Sequence, residues 1–219
     1  YGAGLEFQDR NWIRENIDFT QFVNKRTDIN TDKIELFTID YKDWDYTDDA
    51  EMTVAVAKAM MSGKPFTEAL LIDSFSEEYN RAFQKKGYKR NGHGAMRWYF
   101  SGEKTIEEIK SFQKDKKYPG NAPPMRAIPL AFAPEELIHA YAAVNADCTH
   151  PHPLAIASSI LVARAAQGIL LKNIAPEKLI AYCIPFIDEP ETIALLKAAD
   201  ELPSPEHLKE SAYEILCGP

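Results

Sequence analysis

The stretch from Pro153 to Leu171 is rich in alanine and carries almost no charge, so it has no face suited to water. A helix that is apolar all round belongs in the middle of a fold, with other elements packed about it. The flanking sequence supplies helices to do this. From Asp49 to Ser62 the apolar residues Met52, Val56, Ala59 and Met60 fall at i, i+4, i+7 and i+8, and Gly63 stands where a helix C-cap belongs. Phe66, Leu70, Phe75, Tyr79 and Phe83 lie on roughly one side of a second helix entered through Pro65. Pro134-Glu135-Glu136 opens a helix through Ala146. Pro176-Glu177, Pro190-Glu191 and Ser204-Pro205-Glu206 open three more, each with proline and acid in the manner of a first turn. The one strand-like alternation, Lys33 to Tyr41, has no partner of comparable quality, and a lone strand does not stand by itself. The expected fold is therefore all-α, a single domain over residues 1–219, with loops at residues 24–47, 87–105 and 115–133.

Composition narrows the partners. Acidic side chains number 33 against 25 basic ones, for a formal net charge of −8, and the short Lys114-Asp115-Lys116-Lys117 run is the one basic concentration. Bulk nucleic-acid binding is not expected from such a surface. No apolar run reads as long enough to span a bilayer, so a soluble chain with one sizeable core and no membrane partner is expected. Cys148, Cys183 and Cys217 are odd in number and widely spaced, which fits a reducing, cytoplasmic setting better than a disulfide framework. The first residues do not have the pattern of a signal peptide. Both termini look cut, Gly2 to Phe7 inside a helix or tight turn and Cys217-Gly218-Pro219 where a helix is being stopped.

Chemistry concentrates in a few segments. Tyr46-Thr47-Asp48-Asp49-Ala50-Glu51-Met52 sets a hydroxyl and two adjacent carboxylates at a helix start, a density of hard oxygen donors that suits magnesium or manganese. The same residues also read as a capping box, with Asp48 in the cap position and Glu51 reaching back. In Gly120-Asn121-Ala122-Pro123-Pro124-Met125-Arg126, the glycine permits close backbone approach and the asparagine amide both donates and accepts. The two prolines stiffen this loop and remove two N–H donors. Its bland alternative is a connector whose arginine forms a structural ion pair. In Thr149-His150-Pro151-His152-Pro153, His150 either hydrogen-bonds a metal-ligating carboxylate or caps the helix that follows. Cys148, His150 and His152 alternate along one extended segment, which cannot by itself surround a tetrahedral zinc. Gly87 to Gly94, with three glycines among basic and amide groups, is either a phosphate-contacting loop or a plain turn.

Taken with Gly2-Ala3-Gly4-Leu5-Glu6-Phe7, these segments resemble, in order and spacing over nearly the whole chain, the ADP-ribosylglycohydrolase family. The resemblance implies a compact orthogonal multi-helix bundle around two magnesium or manganese ions. It implies hydrolysis of the glycosidic bond joining ADP-ribose to a side chain or small molecule, with ADP-ribose or an ADP-ribosylated substrate as the partner. On the same resemblance, Thr47, Asp48 and Asp49 are metal ligands, and Glu6 joins Asp48 and Asp49 in catalysis by handling the water or a ribose hydroxyl. Gly120, Asn121, Met125 and His150 line the substrate cleft. Ala50 and Ala122 depart from the family pattern, which commonly has threonine and glycine there. Also absent are the family's second metal motif, of Gly-Gly-Asp-x-Asp-Thr type, and the Gly-Asp that should precede Tyr1. Carboxylates from one helix alone are too few to hold two ions against water. The expectation is a trimmed chain, a segment supplied by another chain, or an inactive relative serving as an ADP-ribose-binding or structural protein.

Overall fold

The computed structural model describes Glu15, residues 48–83 and residues 96–201. Glu6, Thr47, the Lys33–Tyr41 alternation, the Gly87–Gly94 segment and the helix start at Ser204 lie outside the described residues. Helix α1 (Asp48–Met61) opens on Asp48, Asp49 and Glu51 and has Lys58 in its last turn, the polarity that a helix dipole favours. It stops at Gly63, whose φ of 71° is the left-handed conformation glycine adopts without strain. Helix α2 (Glu68–Phe83) follows Thr67, whose hydroxyl accepts the Leu70 N–H at 3.2 Å as an N-cap. The two pack closely together, burying Ala55, Val56 and Ala59 of α1 and Leu71, Ile72 and Phe75 of α2 in one core. Lys58 and Arg81 close on the buried Glu78 carboxylate at this junction.

Two helices occupy a stretch assigned in part to loop: α3 (Met96–Phe100) and α4 (Ile106–Lys114). The start of α4 is a complete capping box, in which Thr105 Oγ1 accepts the Glu108 N–H at 3.2 Å and Glu108 Oε2 accepts the Thr105 N–H at 2.8 Å. The prolines at 123 and 124 do not stiffen an open loop. They sit in the first positions of a single helical turn, α5 (Ala122–Met125), where a missing N–H costs nothing. A 3-10 stretch at Ile128–Phe132 follows, and a further 3-10 turn at Glu135–Leu137 leads into α6 (Ile138–Asp147). Then come α7 (Pro153–Leu170), α8 (Leu179–Cys183) and α9 (Pro190–Asp200), the last capped by the Glu189 carboxylate, which accepts the Glu191 and Thr192 N–H groups. No strand occurs among the described residues, and the architecture is all-α.

Helix α7 takes the central place its composition demands, packing on α5, α6, α8, α9 and the 3-10 stretches at 128–132 and 184–186. It buries Ala155, Ala157, Ile160 and Ala163, and Gly168 lets the Tyr182 ring approach so closely that a Cβ would stand 2.9 Å from it. One expectation is corrected here. With 18 residues and a mean hydropathy of 1.5, α7 is long and apolar enough to cross a bilayer by length and composition. Core helices pass the same test. This one carries buried Ser159, Arg164 and Gln167, with Arg164 donating to Gln167 and to the Glu135 carbonyl.

Candidate functional site

Asp48 and Asp49 occupy the first turn of α1, the former half-buried and the latter exposed. Successive helical residues point about 100° apart, so the two carboxylates leave the helix in different directions. The described helix begins at Asp48, and Thr47 lies outside the described residues. Glu51, read from sequence only as a capping partner, is 1% exposed. Burial, then the charges of Asp48 and Glu78, push its carboxyl up to about 8 against the opposing pull of Arg81. Its place four residues before buried Ala55 marks the inward face of α1, a signal present in the sequence.

One turn beyond Asp49, the Thr53 hydroxyl lies 2.6 Å from the Asp49 carbonyl and 3.3 Å from the Met125 carbonyl, tying α1 to α5. Met52 Sδ stands 3.8 Å from Arg126 Nη1 across the same junction. Arg126 is fully buried. Its Nε donates to Asn145 Oδ1 at 2.8 Å, and its Nη2 to the Asn145 carbonyl at 2.7 Å and to Thr149 Oγ1 at 2.8 Å, with Cys148 Sγ at 3.4 Å. The guanidinium also lies over the Phe75 ring, 4.4 Å from its centroid. The ion pair considered for Arg126 is therefore corrected: its partners among the described residues are neutral acceptors and an aromatic face. Asn145 completes the frame by donating Nδ2 to the Pro123 carbonyl at 2.9 Å and to Ser159 Oγ at 3.0 Å.

Thr149 hands this frame on to His150, whose Nδ1 stands 2.8 Å from Thr149 Oγ1. Burial first, then the positive charges of Arg126 and Lys116, push the imidazole down to about 3, so it is neutral at physiological pH. A Cβ at Gly120 would meet His150 Nε2 at 3.0 Å, so glycine is what allows the 120–121 backbone to lie against the ring. Asn121 is exposed at the start of α5 and makes no side-chain cap bond, while Met125 is half-buried against the core. His150 bonds Thr149, and the capping role considered for it falls instead to His152, whose Nδ1 accepts the Leu154 N–H at 3.1 Å at the start of α7.

No group of three or more His, Cys, Asp or Glu among the described residues is placed to hold a metal ion. Asp48 and Asp49 nonetheless fit part of a site, because magnesium keeps several waters and takes one or two protein carboxylates. A second ion would find no further donor set among the described residues. A cavity of about 550 Å³ between α6, α7 and the start of α9, lined by His139, Ile156, Ile160 and Asp188, contains none of the expected site residues.

A family model described as ADP-ribosylglycohydrolase matches residues 1–216. A curated relative, "ADP-ribosylhydrolase ARH3" of Gallus gallus, is 26% identical over 175 residues, which cover 75% of this chain and 47% of that protein. The chain thus spans about half the length of the curated relative it matches. No solved structure matches it. With the match covering nearly every residue, the chain belongs to the ADP-ribosylglycohydrolase family.

Proposed function

We propose that this chain supplies a metal-binding helix start and a substrate cleft to a cytoplasmic enzyme that hydrolyses the glycosidic bond between ADP-ribose and a modified side chain or small molecule. The observation that carries the reading is convergence. Segments far apart in sequence, Asp48–Thr53, Gly120–Arg126 and Thr149–His150, meet through the Thr53 bridge to Met125, the Arg126 bond to Thr149 and the contact of Gly120 with His150. The family is generally metal-dependent, which favours hard oxygen donors at this place. Free, buried thiols at Cys148 and Cys183 suit a reducing compartment.

In this reading Asp48 and Asp49, with Thr47, hold magnesium or manganese, and the complete protein takes two ions. An ion held there would supply positive charge to stabilise the charge that develops as the glycosidic bond is hydrolysed. Glu6 positions the attacking water as the acid/base carboxylate. Gly120 admits the backbone to the substrate, the exposed Asn121 amide offers both a donor and an acceptor, and Met125 and neutral His150 shape the wall. The test is release of ADP-ribose from ADP-ribosylated peptides in magnesium buffer. Asp48→Asn and Asp49→Asn are each expected to lower the rate by about 100-fold or more, the scale of losing one electrostatic stabiliser, with the helical circular dichroism unchanged. Turnover indifferent to both substitutions would contradict the assignment.

A further inference from the structure

The Thr149 hydroxyl stands 2.8 Å from both Arg126 Nη2 and His150 Nδ1, with the Cys148 thiol as a weaker neighbour. A guanidinium can only donate, so it claims an oxygen lone pair and leaves the hydroxyl hydrogen to be placed. If His150 carried its proton on Nδ1, the hydroxyl oxygen would accept from both sides and its own buried hydrogen would be left to the Cys148 sulfur, a weak acceptor. If Nδ1 is bare, the hydroxyl donates to it, and both the Arg126 donor and the imidazole acceptor are met at the Thr149 oxygen. From this geometry we infer that Thr149, oriented by Arg126, is a positioning residue that holds His150 in the Nε2–H tautomer, presenting an N–H donor at the Gly120 edge of the cleft.

Arg126 is itself fixed by the Asn145 side chain and carbonyl, so its donor cannot swing away from Thr149 without leaving a buried partner unmet. On the other side of the ring, Nε2 stands beside Gly120, where a Cβ would come within 3.0 Å. An N–H there can meet an oxygen of a ligand, a phosphate or a ribose hydroxyl, and cannot serve as a base. Neutral imidazole in water populates both tautomers. A single one therefore needs a lock, and Thr149 is the group in place to provide it. That the donor faces a substrate rests on the ADP-ribosyl reading, whereas the tautomer does not.

The experiment is long-range nitrogen–proton NMR on the full chain labelled with 15N-histidine at neutral pH, with the His150 signals assigned by their loss in His150→Gln. The expected result is one neutral tautomer, protonated at Nε2 with Nδ1 accepting a hydrogen bond. Thr149→Val, which keeps the side-chain shape, is expected to give averaged shifts of mixed tautomers, and Thr149→Ser to restore the single form. Thr149→Ala offers a second, smaller change should valine disturb the packing. A wild-type His150 protonated at Nδ1 or on both nitrogens, or one that stays a pure Nε2–H tautomer without the hydroxyl, would overturn the inference. None of these readouts needs turnover, so a failure here is separable from failure of the hydrolase reading.

Discussion

At the scale of single residues, Arg126 is the side chain on which the site's geometry depends. A buried guanidinium is costly unless its donors are met, and here neutral acceptors meet them. Asn145→Ala removes the acceptor of Arg126 Nε and the donor to the Pro123 carbonyl, with an expected loss of about 3 kcal/mol in urea unfolding. A loss under about 1 kcal/mol would show that Arg126 is held by other means. His150 adds a pH dependence. Its folded value of about 3 lies below the ordinary 6.5, so the unfolded chain takes up a proton first. Its contribution to stability is therefore present above 6.5 and lost as pH falls toward 3. The difference in melting temperature between wild type and His150→Gln is expected to shrink over that fall, and a constant difference would contradict it. Gly120, Met125, Arg126 and His150 were all legible as a motif. Their mutual contacts were not, because burial and long-range pairing leave no trace in a local window; Arg126 and Asn145 are 19 apart and Arg126 and Met52 are 74 apart.

At the scale of elements, periodicity served where an apolar stripe runs for several turns. Pro153–Leu171 was expected and Pro153–Leu170 is observed; Asp49–Ser62 became Asp48–Met61. It failed at α4, a helix of 9 residues whose apolar face, Ile106 and Ile109, runs for little more than one turn. The legible signal there was the cap, Thr105 followed three residues later by Glu108. Thr105→Ala is accordingly expected to cost about 1 kcal/mol and to speed amide hydrogen exchange within α4 while leaving α7 protected. Exchange unchanged in α4 would mean that packing, not the capping box, holds its first turn. The prolines of α5 misled for a related reason: a proline looks like a loop until its place in the first turn is known.

At the scale of the whole molecule, the fold class followed from α7, a helix with no polar face that only a bundle can surround. Hydropathy alone could not tell that surrounding protein from lipid, which is why the membrane expectation needed α7's packing and its buried Arg164 to be set beside its composition. The bundle then does for the site what no segment could do alone. It sets the acidic start of α1, the turn at α5 and the entry to α7 around one buried arginine, so a ligand meeting all three would sense the fold as a unit. The direct measurement is calorimetric titration of the chain with ADP-ribose, with and without magnesium. Binding that requires magnesium and is lost in Asp48→Asn is the expected result; equal binding in both buffers, or none in either, would contradict the account.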